Sequence, residues 1–534
     1  MQGNISPKTT AVEGAVTKFG RRIFSAPSLG LFIIIVLLLA TIIPFFGYYP
    51  TYDGNQYFGC IVNAVNKHPF NLLNFRCFKH PFSYSLLLGA TQYLDSGNAV
   101  LMYLANFCLA SISTVAVYKL VRLSLVEDSI VTPLLSAAIF CFMPLYVVHI
   151  LQIDLDFGVA SFYIIFVFCL LTKRRWCAVL LAIMTVLAKE IGIAAYIGTI
   201  FAYLYIFVLM EEEPVRAKII RLMREWPLIF PVMVAIAYMF FLPLLLPKGE
   251  MLFFMQGNLP PNFITGFNLD NASMRAFLAF IFILNFNWIL SGLILLSLSL
   301  APLQWKSISQ RVKGRYFCFF LLLLLNTTYV VTRLHETFWI PRYALLCLPV
   351  LAILFGLAVA SLLPRKPYRF VLFLPILVLF YLSNFRTIDP LSMRIFRTAP
   401  VGEKAILNVA MSQMNFTYSL ESIDVFYALR KMLEDVPHDP KHTLFVLGNT
   451  APPLREAAMS LPPKDRSLRA TNRLGEITPE GLDKLGSHER LLYVDIPNSL
   501  GNNNYEYLKA HYRLVDSRHY QHNGYVLTTY LFVR

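Results

Sequence analysis

Between Leu29 and Phe385 the chain returns repeatedly to apolar runs of membrane-spanning length, and nothing else in it restricts the fold so tightly. A hydrocarbon core about 30 Å thick needs roughly 20 apolar residues per helical span. The composition agrees. With 534 residues, 57% of them hydrophobic and 14% charged, and a mean hydropathy of +0.58, the chain is too apolar for a soluble globular protein of this size. The expected fold class is an α-helical polytopic membrane protein of about eleven transmembrane helices. The spans fall roughly at 29–48, 98–118, 130–151, 155–172, 176–189, 191–210, 227–246, 276–302, 316–332, 343–363 and 370–386. After Arg386 the composition becomes that of a soluble domain.

The net charge of +15 carries meaning only through where the charges sit. They cluster between spans: Lys18, Arg21 and Arg22; Lys119 and Arg122; Lys173, Arg174 and Arg175; Arg216, Lys218, Arg221 and Arg224; Lys306, Arg311, Lys313 and Arg315; Arg365, Lys366 and Arg369. Eleven spans put all of them on one side, which the positive-inside rule makes the cytoplasm. Membrane topology, not nucleic acid, therefore accounts for the basic total. Residues 1–28 form a cytoplasmic segment without a small-residue cleavage site, so the first span reads as an uncleaved anchor. Residues 387–534 lie outside the cytoplasm. The membrane is the plasma membrane in a bacterium or the endoplasmic reticulum in a eukaryote.

The first outer loop, 51–98, is too long and too aromatic for a linker. It reads as short amphipathic pieces on the membrane surface, with Asp53, Tyr57, His68, Arg76, Lys79 and His80 set among phenylalanines and punctuated by Pro69 and Pro81. Cys60 and Cys77 both fall in it, on the oxidising side, where a disulfide could join them or not. The other six cysteines lie in or beside spans. The apolar stretch from Trp176 to Met210 is interrupted only by Lys189-Glu190, which suits two short spans meeting at the outer surface, and Glu211 to Trp226 reads as a charged amphipathic helix on the cytoplasmic side. In the last part of the chain, 419–434 has helical spacing, Thr443 to Leu447 and Leu491 to Ile496 read as buried strands, and Asn523-Gly524 marks a hairpin. A small α/β domain is expected there, with no phosphate loop or nucleophile elbow.

Four groups of ionisable residues converge on the outer face. Asp53, five residues past the first span in Tyr52-Asp53-Gly54, suits a general base or a metal ligand, or else a helix cap. Asp154 and Asp156 fill a short outer turn, where they can bind a cation, position a hydroxyl, or merely form and cap the turn. Lys189 and Glu190 are ionisable residues near lipid depth, a functional signal. Arg342-Tyr343 opens the tenth span after His335. An arginine there works against the helix dipole and gains from a bound anion, and its fork fits phosphate; interfacial anchoring is the alternative. Outward carboxylates to activate a hydroxyl, together with outward cations to hold a phosphate, are what transfer from a lipid-phosphate donor needs.

In order and placement these motifs resemble those of the integral-membrane glycosyltransferases of the GT-C fold, which use polyprenyl-phosphate sugars. Tyr52-Asp53-Gly54 through Tyr57 resembles the acidic motif of that superfamily's first outer loop. Lys79-His80-Pro81-Phe82-Ser83-Tyr84 is similar to the Lys/His-Pro-Pro-x-x-Tyr stretch of protein O-mannosyltransferases and lipid A aminoarabinose transferases, with Phe82 in place of the second proline. Asp154-Leu155-Asp156 resembles the second acidic site, Leu187-Ala188-Lys189-Glu190 a Leu-Thr-Lys-Glu/Gly element, and Pro341-Arg342-Tyr343 the opening of a late span. The resemblance covers about two thirds of the chain and implies a GT-C-like domain over 29–386, with an extracytoplasmic α/β domain over 387–534.

What it implies chemically is a hexosyl or pentosyl transferase. A sugar passes, with inversion, from a polyprenyl-phosphate donor to a hydroxyl of a glycan, lipid or protein acceptor on the extracytoplasmic face. The implied catalytic residues are Asp53, Asp154 and Asp156; Lys189, Arg342 and Tyr343 hold the donor phosphate; Tyr57, Lys79, His80, Tyr84, Glu190 and His335 contact substrate. Asp53 and Asp154 are the candidate ligands for a divalent cation. A membrane transporter or lipid flippase is the alternative, although such proteins tend to carry ionisable residues near the midplane and internal repeats, and no repeat is found here.

Overall fold

A computed structural model describes residues 26–46, 50, 52–67, 72–77, 80–126, 129–245, 278, 280–334, 341–363, parts of 368–378, 431, 443–447, 490–495, 503–522 and 525–533. The spans expected at 370–386 and the helical stretch at 419–434 lie mainly outside those residues.

The chain is mostly helical. Helix α1 (Ala26–Ile42) is followed by α2 (Tyr52–Lys67) and α3 (Ser83–Gln92), then α4 (Ala99–Ser124), α5 (Val131–Cys141), α6 (Pro144–Ile150), α7 (Leu155–Leu171), α8 (Arg175–Val186) and α9 (Ile191–Leu204). Next come α10 (Val215–Arg224), α11 (Phe230–Leu245), α12 (Trp288–Ser309), α13 (Gly314–Leu334) and α14 (Leu348–Leu362). Among the described residues, four helical segments are long and apolar enough to cross a membrane: Pro27–Phe45, Ala99–Ser124, Ile191–Leu209 and Gly314–Thr332. Other apolar helices are shorter, including α5, α7, α8 and α14. The expected third span is broken in two, because Pro144 restarts the helix where Phe142 has closed α5. The expected tenth span opens as a 3-10 turn, Pro341–Leu346, before α14 begins.

Helices α7 and α14 are apolar on every side, so neither can rest on a polar surface. Each is buried along its length, α7 except at Phe168 and α14 except at Leu362, and they form the centre of one continuous core with α4 and α5. Side chains at the perimeter face outward instead, among them Phe32, Ile112, Leu180, Phe201 and Leu325. In a membrane protein such residues meet lipid at no cost.

The first outer loop folds as the sequence suggests, into α2, a 3-10 turn over Leu72–Phe75, and α3. A Cys60–Cys77 disulfide staples α2 to the residues leading into α3. Near the C-terminus, β1 (Thr443–Leu447), β2 (Arg490–Asp495), helix α15 (Asn503–His511), β3 (Arg513–His522) and β4 (Tyr525–Val533) build a mixed sheet in the order β1-β2-β4-β3. The β1–β2 pair is parallel, and β4 runs antiparallel to both its neighbours. Pairing of His522 with Tyr525 leaves two residues, Asn523-Gly524, to join the hairpin. Alternation along β2 points Leu491 and Tyr493 into a small core with Leu508 and Phe532, while Leu492 joins the large helical cluster on the other face.

Candidate active site

Two helix breaks build the site. At the first, α6 ends near Ile150 and α7 starts at Leu155, leaving Asp154 in the N-cap position. Its side chain does not cap the helix. The carboxylate turns inward instead, with Oδ2 3.3 Å from His149 Nε2 and Oδ1 3.5 Å from Arg342 Nη1. Asp156, in the first turn of α7, accepts two hydrogen bonds from Lys189 Nζ, both at 2.9 Å, and lies 3.4 Å from Arg342 Nε. At the second break, α8 stops at Val186, and Lys189 and Glu190 occupy the turn before α9. Gly192 makes that turn feasible, because a Cβ there would collide with the Thr185 carbonyl.

Two acids and two cations are thus buried as one compensated network, with side-chain exposures of only 4–9%. Buried charges require such pairing. Lys189 and Arg342, the phosphate-binding candidates, lie directly on Asp154 and Asp156. Both cations also sit over the Tyr343 ring, Nζ at 4.9 Å and the guanidinium carbon at 5.7 Å from its centre. Burial pushes the Asp154 carboxyl up, but Arg342, then His149 and Lys189, outweigh it and hold the group below the usual carboxylate range.

Beside this network stands a second pair. His80 Nδ1 is 2.8 Å from Glu190 Oε2, both side chains largely buried, and the Tyr57 ring lies 6.4 Å from the imidazole. Burial is the largest single influence and raises the Glu190 carboxyl, but His80, a backbone hydrogen bond and Lys189 together bring it below the usual range. Among the described residues, Asp154 Oδ1 and Glu190 Oε1 are buried carboxylate oxygens that accept no hydrogen bond.

The first-loop motif is carried to the same place by a glycine. A Cβ on Gly54 would lie 2.9 Å from Gln152 Oε1 and 3.2 Å from the Ile153 nitrogen, so α2 lies against the Asp154 turn closely enough that a side chain there would make the Gln152 amide move and the turn give by a few tenths of an ångström. Asp53 therefore belongs, by its backbone, to the first turn of a helix that abuts that turn. The Asp53 side chain, Lys79 and His335 lie outside the described residues.

Tyr84, an expected substrate contact, has its partners in the scaffold. Tyr84 is fully buried; its hydroxyl donates to Asn106 Oδ1 at 2.8 Å and its ring packs where Gly158 leaves room. Asn106 in turn donates to the Ile150 and Gln152 carbonyls, at 3.1 and 3.3 Å. Tyr84 is thus a prop that holds the Asp154 turn through Asn106. A buried tyrosine must commit its hydroxyl, and here it commits to the scaffold. Sequence reasoning missed Asn106, His149 and Gly54. The first two carried a usable signal, being polar residues inside otherwise apolar runs.

Of the candidate cation ligands, the Asp53 side chain lies outside the described residues, and Asp154, like Asp156, is already paired with cationic side chains. Lys189, Arg342 and His149 already crowd those carboxylates, and among the described residues no group of three or more His, Cys, Asp or Glu is arranged to hold a metal ion. A metal ion beside these two acids would meet the positive charges of Lys189 and Arg342.

No family model and no curated protein matches the chain. Among solved structures, the chain is similar to ArnT from Cupriavidus metallidurans bound to undecaprenyl phosphate, with 12% identity, 94% of this chain and 97% of that one covered, and a TM-score of 0.43. It is also similar to the same ArnT in the apo state, with 13% identity, 97% and 98% covered, and a TM-score of 0.46. The archaeal oligosaccharyltransferase AglB from Archaeoglobus fulgidus, in complex with an inhibitory peptide and a dolichol-phosphate, is similar over 88% of this chain and 69% of its own, with 12% identity and a TM-score of 0.42.

Proposed function

We propose that the protein is an integral-membrane glycosyltransferase that moves a sugar from a polyprenyl-phosphate donor to an acceptor hydroxyl on the extracytoplasmic face. The observation that carries this reading is the buried network of Asp154, Asp156, Lys189 and Arg342, set against the helix that bears Asp53. Charges of this kind are expensive to bury and are commonly kept for chemistry.

In the proposed reaction the acceptor oxygen attacks the anomeric carbon as the bond to the phosphate oxygen breaks, so the configuration inverts in a single displacement. The electron pair leaves with the lipid phosphate, and the acceptor proton passes to Asp53. Arg342 has five N–H donors and can hold a phosphate while keeping its acids. Lys189 gives two of its three donors to Asp156, and the third can meet the phosphate. Both cations stabilise charge where it grows in the transition state. The unbonded oxygens of Asp154 and Glu190 can accept sugar or acceptor hydroxyls. His80 and Tyr57 flank that second carboxylate as substrate contacts.

A transporter or flippase would be expected to place its ionisable residues at mid-depth. No internal repeat, the other mark of such proteins, is found in the sequence. The test is consumption of polyprenyl-phosphate sugars by the purified protein, compared with Asp53→Asn. Movement of the lipid carrier across vesicles without any sugar transfer would replace this reading with the rival one.

A further inference from the structure

The opposite end of α8 carries a different kind of site. From Arg175 to Val186 the helix is 12 residues long, about 18 Å at 1.5 Å per residue, so its first turn lies far from the buried network beyond its last. There a groove of about 540 Å³ opens between α8, α10 and the 3-10 turn Trp226–Ile229. Arg175 and Arg224 flank it, with Trp176, Ile220, Met223 and Trp226 as its apolar wall. The two indoles are largely exposed, Trp176 at 75% and Trp226 at 62%.

We infer that this groove binds the headgroup of an anionic phospholipid, with the acyl chains lying along the apolar faces of α8 and α11. Charge favours such an occupant. Lys173, Arg174, Arg175, Arg216, Lys218, Arg221 and Arg224 are seven cations in this region, against the four carboxylates of Glu211, Glu212, Glu213 and Glu225. Several of those carboxylates are already engaged: Glu211 pairs with Arg221 and Arg315, and Glu225 lies 3.4 Å from Arg175. The remaining positive charge suits a phosphodiester, whose oxygens match the arginine fork. The apolar surroundings separate a lipid from a free phosphate. Leu180, Phe230 and Met233 are exposed beside the groove and offer a path for chains, and tryptophans settle at the headgroup level where an apolar ring body meets water. The amphipathic α10 lies at that same level.

The test uses the full chain in mild detergent, titrated with phosphatidylglycerol or phosphatidylcholine while bound lipids are counted by native mass spectrometry. The wild-type protein is expected to retain phosphatidylglycerol in preference, and Arg175→Gln with Arg224→Gln to lower that preference roughly fivefold per arginine. Equal retention of both lipids by the wild type would overturn the inference, as would an unchanged preference in the folded double variant. Tryptophan emission in bilayers holding bromine-labelled phosphatidylglycerol answers the question without touching the arginines. Quenching that falls in Trp176→Phe supports the groove, and quenching indifferent to that change refutes it.

Discussion

Arg175 opens helix α8 and Lys189 lies just past its end, and the two cations live in opposite physical worlds. Arg175 is about half exposed and shares Glu225 loosely at 3.4 Å, whereas Lys189 is buried and gives two 2.9 Å hydrogen bonds to Asp156. Water can replace Glu225 for the first; nothing but another protein or ligand group can replace Asp156 for the second. A charge at the exposed end attracts its surroundings, and a charge at the buried end dictates them. The contrast explains why one end suits reversible contacts and the other a fixed geometry.

The sharpest way to break the contrast is Asp156→Asn, which leaves Lys189 buried beside a neutral amide. Thermal unfolding in detergent should show a loss of about 3–5 kcal/mol, and the double change Asp156→Asn with Lys189→Met should recover much of it. Little change in the single variant would mean that Lys189 reaches solvent. Replacing Cys60 and Cys77 by serine opens a loop of sequence separation 17, and a cost of about 3 kcal/mol is expected from loop entropy, read as a lower unfolding temperature. Gly54→Ala should cost about 1–3 kcal/mol by pushing α2 off the Ile153 turn, and sugar transfer should fall further than stability if Asp53 acts there. At the exposed end, Glu225→Gln should shift stability by no more than about 1 kcal/mol. A larger shift would dissolve the distinction between the ends.

Acidity probes the buried end alone. The Asp154 and Glu190 carboxyls sit below their ordinary range in the folded protein, so their contribution to stability is present above the unfolded value and disappears as the pH falls through the lower folded one. An acid titration of unfolding temperature should therefore fall steeply for the wild type and less steeply for Asp154→Asn.

The apolar runs, the amphipathic α10, the strands β1 and β2 and the terminal hairpin were legible because each rests on local periodicity or turn chemistry. Strand β1 falls on Thr443–Leu447 as its pattern indicates. The candidate site was legible as a set of residues but not as an arrangement. Lys189 reaches Asp156 across 33 positions and Arg342 reaches Asp154 across far more, distances set by helix packing and invisible to any window of sequence. Tyr84 shows the same limit from the other side. Its motif resembled a substrate contact, and only the packing of α3 against α4 reveals that its hydroxyl is committed to Asn106. Asp154 looked equally able to cap a helix, and it occupies the cap position without using it.

The most direct measurement of the central claim is to incubate the purified protein with a panel of polyprenyl-phosphate sugars and an acceptor extract, following each donor by mass spectrometry. The account predicts that one donor is consumed, with release of the polyprenyl phosphate, and that Asp53→Asn folds normally but consumes none. Consumption unchanged in the folded Asp53→Asn protein, or no donor consumed by the wild type, would contradict it.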